Sequence, residues 1–211
     1  MLCSALALGL PLGLSACSSG GSKTQATTAT TRPPVLAVKT SVLKIGSVDV
    51  ESAGPPNVQI DTATGKAVLG VAQGYINDAV FAPLKTGKVG AGYGALFDTG
   101  VKAAATGADE AVLTDLDVGR VTSLSTRATP VRLSALAGPL GQLMYIATDF
   151  QLTLKATTAA GPSTMTHIVE LTFAQPAPTT KTWLVTAYRV TTVRKSAAAT
   201  TTTTATGGTT P

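Results

Sequence analysis

His167 is the only histidine of this 211-residue chain, and Asp78, Asp149, Glu170, Tyr75, Tyr145 and Tyr188 are the groups that could share proton chemistry with it. An imidazole becomes a general base when a carboxylate or phenol holds it in reach of a substrate, and carboxyls of shifted pKa do the same work. His167 has the strand parity of Val169 and Leu171, which makes it a satisfied, partly buried core histidine, with a pocket base as the alternative. Asp149 and Glu170 fall on the opposite parity, as solvated residues do, and Asp78 falls on the polar side of a helical stripe. One histidine is too few for a zinc site, which needs several ligands close together, so no metal and no cofactor are expected. Thr86-Gly87-Lys88 has the core of a phosphate loop, but Ala82 stands where that loop needs its first glycine and Val89 where it needs a hydroxyl. Gly87, Gly90, Gly92 and Gly94 do not spell a dinucleotide fingerprint either and read as a flexible loop. There is no Gly-x-Ser-x-Gly elbow, and with a lone histidine no serine triad is expected.

The composition narrows the function classes further. Only 13% of residues are charged, against about 25% in ordinary domains, and threonine, alanine, serine and glycine cover the surface instead. The formal net charge of +5 is scattered, without a basic cluster or interleaved aromatic residues, so a nucleic-acid partner is not expected. A weak attraction to anionic lipid or wall polymer follows from net charge alone.

Residues 1–16 carry no charge and end in small residues, the pattern of a signal-peptide apolar region and cleavage zone. They are too short for a stable membrane span. Leu14-Ser15-Ala16-Cys17, followed by Ser18-Ser19-Gly20-Gly21, resembles the bacterial lipobox, in which the cysteine is acylated and becomes the first mature residue. Two or more acyl chains give stable anchoring where one gives only marginal binding. The basic segment that opens a signal peptide is missing before this stretch, which predicts an initiator upstream of Met1. Cys3 leaves with the leader and Cys17 is consumed by lipid, so the domain must be held by its core without a disulfide. Residues 17–36 then form a Thr-rich tether and residues 196–211 a second disordered Thr-rich tail, leaving 37–195 as the folded domain.

Within that domain, residues 42–50 read as a first strand, broken by Ser52-Ala53-Gly54-Pro55-Pro56. From Lys66 the period changes: Val68, Val71, Ala72, Tyr75, Ile76, Ala79 and Val80 make an apolar helical stripe that Pro83 and Thr86-Gly87 end. Short helices are expected at 91–97 and 108–113, with Asp98 and Thr106 as turn or cap residues. Strands follow at 118–125, 131–137, 143–157, 165–173 and 183–194, the last three joined by short turns as an antiparallel meander. In the final strand Trp183, Val185 and Ala187 are expected opposite Leu184, Thr186, Tyr188 and Val190. Helices first and a long meander after is an α+β order.

That order resembles the NTF2-like (cystatin-like) cone, a curved antiparallel sheet wrapped around N-terminal helices. More narrowly, Val48-Asp49-Val50-Glu51-Ser52-Ala53-Gly54-Pro55-Pro56, Tyr75-Ile76-Asn77-Asp78-Ala79-Val80, Ala82-Pro83-Leu84-Lys85-Thr86-Gly87-Lys88 and Trp183-Leu184-Val185-Thr186-Ala187-Tyr188-Arg189-Val190 resemble segments of secreted or lipid-anchored actinobacterial proteins. The resemblance implies a fold that hosts enzymes, ligand binders and assembly modules alike, so it does not select a function. Tyr75, Phe81, Phe97, Phe150, Leu152, Phe173 and Trp183 fill the core, with lining of an apolar ligand cavity by Tyr75, Phe150, Leu152, Phe173 and Trp183 as the alternative. The expected role is a membrane-anchored, non-enzymatic module of the cell envelope that holds a hydrophobic ligand or a protein partner. A small proton-transfer enzyme, of isomerase or dehydratase type, is the competing reading.

Overall fold

The computed structural model describes residues 42–177, 179–196 and 198–208; the expected leader, the acylation site Cys17 and the tether lie outside the described residues. The first element is a strand, β1 (Leu43–Ser52). Asp61 opens the helical region by accepting from the Thr64 N–H at 2.7 Å, which satisfies a first-turn donor. Helix α1 (Thr62–Tyr75) therefore starts ahead of the Lys66 expected from the stripe. Val68, Ala72, Tyr75, Ile76, Ala79 and Val80 are all buried, as the stripe requires.

Pro83 does not end the run. The backbone widens into a π turn over Ile76–Phe81 and continues as α2 (Ala82–Thr86), with Pro83 in the first turn, where its missing N–H is tolerated. Gly87 terminates it in the left-handed region at φ 73°. The carbonyl of Ala79, four residues before Pro83, lacks its α-helical donor and accepts the Asp115 N–H instead, at 3.0 Å. A proline thus fixes where a distant loop must dock.

The expected helix at 91–97 is only a 3-10 turn (Tyr93–Leu96). Where none is expected, α3 (Thr99–Ala105) forms under Asp98, whose carboxylate accepts from Gly100 N–H at 2.9 Å. A four-residue α4 (Glu110–Leu113) and a 3-10 turn (Leu116–Val118) complete the helical layer. Such short helices leave their last carbonyls unpaired, and buried phenols supply the donors. Tyr93 donates to the Ala105 carbonyl at 3.0 Å and Tyr75 to the Leu113 carbonyl at 2.7 Å. Tyr188 donates to Asp109 Oδ2 beside the start of α4. The rings of Tyr75, Tyr93, Phe97 and Tyr188 pack tilted and edge-to-face in a chain with centroids 6.5, 5.1 and 6.0 Å apart, tying the short helices to one another and to the last long strand.

The remaining strands are β2 (Ser123–Thr126), β3 (Thr129–Ala137), β4 (Leu143–Thr158), β5 (Gly161–Ala174), β6 (Leu184–Ser196) and β7 (Thr200–Gly208). They form an open, curved sheet in the order β1-β3-β4-β5-β6-β7, with β2 also on β4. The α+β class and the β4–β5–β6 meander stand as expected. Three expectations are corrected. The sheet is mixed, because β1 runs parallel to β3; a parallel pair needs a long crossover, and the whole helical layer is that crossover. Residues 200–208 are no disordered tail but β7, antiparallel to β6, since β-branched threonine pairs readily when a partner edge and a buried contact (Ala205, 5% exposed) are offered. A bulge between Thr172/Phe173 and Val185/Ala187 flips the parity of β6, so that Val185, Tyr188 and Val190 all face inward.

A second irregularity opens the sheet. Both β2 and β3 lie along the same side of β4, yet residues 127–131 oppose only residues 150–153. Thr129 donates its N–H to Val42 on the β1 side at 2.7 Å, so the next residue, Pro130, faces β4 with no N–H to give. The ladder parts at this point. The Thr126 hydroxyl donates to the Thr153 carbonyl at 3.2 Å in place of a lost rung.

The phenols make the fold sensitive to base. Burial, first of all, pushes the Tyr75, Tyr93 and Tyr188 hydroxyls well above their ordinary value of 10. Their stabilising contribution is complete below pH 10 and is lost as pH rises beyond it, because the unfolded chain ionises first. Urea midpoints measured between pH 8 and pH 11.5 will hold steady to about pH 10 and then fall, and Tyr93→Phe will shallow that fall.

Candidate functional site

A hydroxyl, an imidazole, two carboxylates and a guanidinium meet on the inner face of the sheet. His167 on β5 faces Thr192, its register partner on β6, and Nδ1 lies 3.0 Å from the Thr192 Oγ1. Asp115, carried in by its backbone bond to Ala79, places Oδ2 3.0 Å from His167 Nε2. That contact falls outside hydrogen-bond geometry. Arg194, two positions along β6 from Thr192, donates Nη2 to Asp115 Oδ1 at 2.9 Å and Nη1 to Asp117 Oδ2 at 2.5 Å. The cluster runs from a sealed imidazole to a half-exposed carboxylate at the surface.

The order hydroxyl–imidazole–carboxylate is that of a nucleophilic triad, with the two ring nitrogens exchanged. A triad also needs room for a substrate. Thr192 and His167 are 2% exposed and Asp115 is 0% exposed, so no reacting atom can approach the hydroxyl. Burial by itself would raise the Asp115 carboxyl, but the His167 imidazole and the Arg194 guanidinium outweigh it and hold the group below its ordinary value. The cluster clamps the loop after α4 onto β5 and β6.

The other candidates are equally occupied. Tyr188 and Asp109 do form a phenol–carboxylate pair, 2.5 Å apart, but Tyr188 is buried and held protonated, a donor rather than a base. Asp78 sits on the π turn with its carboxyl raised by desolvation. The glycine loop closes over it: Gly90 donates its N–H to the Asp78 carbonyl at 2.9 Å, and a Cβ on Gly90 would overlap the Asp78 carboxylate. Glycine is required there by close approach rather than by flexibility. Tyr75, Leu152 and Phe173 are 0% exposed, Trp183 4% and Phe150 6%, and all five belong to one packed core with the helices.

The outer face is different. Asp149 and Glu170 lie there as expected, in a row that runs Arg132, Asp149, Glu170, Arg189 across β3 to β6. Arg132 pairs with Asp49 at 3.0 Å and Arg189 with Glu170 at 3.5 Å. Below that row the break at Pro130 opens a cleft of about 650 Å³, lined by Ser125, Thr126, Arg127, Thr129, Gln151 and Lys155 among others. A neighbouring cleft of about 340 Å³ shares Ser125 and Lys155 and adds Lys195. None of the chain's eleven carboxylates lines either. Among the described residues Arg132, Arg189 and Arg194 have acidic partners, and the other lysines and arginines, Arg127, Lys155 and Lys195 among them, have none.

Sequence reasoning named His167 but missed Asp115, Arg194 and the cleft. The available signal was parity: Arg194 falls in step with Val190 and Thr192, and an arginine facing inward needs a buried acid. No protein-family model, curated protein or solved structure matches this chain.

Removing one member of a buried charge pair costs roughly 3–5 kcal/mol, so Asp115→Ala will lose that much in urea unfolding. Asp115 is lowered, so its contribution is present above pH 3.8 and drains away as acid carries the pH through the folded value. Asp115→Asn will therefore show a flatter loss of stability below pH 4 than the natural chain.

Proposed function

We propose that this chain is a lipid-tethered, extracytoplasmic binding module with an NTF2-like domain, and that it holds an acidic polysaccharide on the outer face of its sheet. One observation carries the ligand assignment: His167, Thr192, Asp115 and Tyr188 are sealed inside, while the outer cleft is open, hydroxyl-lined and cationic with no carboxylate. An apolar guest inside the cone would need space that Tyr75, Phe150, Leu152, Phe173 and Trp183 already fill. A proton-transfer enzyme would need access to His167 or Tyr188, both of which are covered.

The chemistry of the lining selects the ligand class. Arg127 offers a planar fork for a carboxylate and Lys155 a point charge. Ser125, Thr126, Thr153 and Gln151 offer the donors and acceptors that sugar hydroxyls use. The cleft contains no aromatic residue, so it has no stacking platform for bases, and its apolar side chains are only the small Ala128 and Pro130, little to bury in a bilayer. Tethering through Cys17 would hold this face among the anionic polymers of an envelope.

The full chain will bind polygalacturonate in a salt-sensitive manner and will ignore neutral dextran. Loss of one charge-assisted contact weakens binding about tenfold, so Arg127→Ser and Lys155→Ser will each show that loss, and Lys102→Ser none. Equal binding by the variants overturns the cleft assignment, and equal binding to anionic vesicles moves the ligand to the membrane. The anchor is tested separately: intact mass of protein extracted from its own membrane will show acyl chains at Cys17, and Cys17→Ser will release it. An unmodified thiol there overturns the tether and leaves the cleft result standing.

A further inference from the structure

We propose that β7 is a self-association edge: two copies of this chain pair antiparallel through Thr200–Gly208 and continue one sheet across a twofold axis. The strand is bonded to β6 on one side, and among the described residues nothing pairs with the other. An open edge presents a row of unpaired N–H and C=O groups, and proteins that must stay apart block it with charges, proline, bulges or shortness. The second edge of this sheet is blocked in that way. Strand β1 carries Lys44, Asp49 and Glu51 and is kinked by a register shift between Ile45 and Ser47. Strand β7 touches α3 and α4 but carries none of these devices itself. It is nine residues long, has no charged residue and no proline, and keeps an unbroken register with β6 from Lys195↔Thr200 to Ala187↔Gly208.

The partner follows from the same contrast. Pairing of β7 with β1 of another copy would run head to tail and grow an open fibre, and the charges and bulge of β1 oppose it. Pairing of β7 with β7 closes after two copies. In the register centred on Thr204, Thr202 meets Thr206 and Thr203 meets Ala205, so no charge is brought against another. Threonine hydroxyls already bond across this part of the sheet, where Thr191 and Thr204 lie 2.9 Å apart.

The test uses the centre of symmetry. Thr204 is exposed, so replacing it leaves the core intact, and thermal unfolding of each variant verifies this. In sedimentation velocity of the full chain, the natural protein will show a concentration-dependent species of twice the monomer mass. Thr204→Lys and Thr204→Glu will each be monomeric, because like charges then face each other at the axis. Mixing the two variants will restore the doubled mass. A natural chain that stays monomeric to about 100 μM, roughly the reach of a weak association of −5.5 kcal/mol, overturns the proposal. So does a doubled mass that survives in Thr204→Lys alone.

Discussion

A carboxylate that no water touches must find positive charge, and the inner face of this fold is organised around that requirement at Asp115. Three parts of the chain converge on it. Pro83 frees the Ala79 carbonyl that holds the Asp115 backbone, the meander brings His167 on β5, and the far end of β6 brings Arg194. Arg194 alone would be a largely buried charge in need of an acid. Together they fix how the crossover layer lies on the sheet, because sliding either layer by one residue would strand both signs.

The molecule divides its polar chemistry by face. Inside, phenols close helix ends, threonine closes an imidazole, and arginine closes a carboxylate. These groups are engaged with one another and present nothing to a visitor. Outside, short hydroxyls and a row of charges share the face with exposed Leu136, Tyr145 and Ile168, and the ladder is interrupted where Pro130 withholds one N–H. A sheet defect of this kind is a natural place for a cleft, since the strands part without any loss from the core.

Much of this was legible in the residues. The stripe from Val68 to Val80, the meander and the inward parity of His167 all follow from period and turn chemistry. What escaped did so for identifiable reasons. Asp115 sits in a Thr-Asp-Leu-Asp loop that looks solvated, and only tertiary docking buries it. Thr186 lies at a bulge, which inverts every parity argument beyond it. The run of threonines after Thr200 was discounted for its low complexity, although each β-branched side chain favours an extended backbone. The direction of β1 cannot be read locally at all, since parallel pairing depends on a crossover and not on the strand.

That crossover decides the order of assembly. Strands β4, β5 and β6 are neighbours along the chain, joined by a two-residue turn and a nine-residue connection, at small entropic cost. Among the described residues the one strand that pairs with β1 is β3, so Leu43 must wait for Thr129, with the entire helical layer in between. Long-range parallel pairing is slow, and a ribosome delivers this strand before anything it can pair with. The first piece of the domain to leave the tunnel must therefore wait for β3, and its charged edge keeps it soluble while it waits.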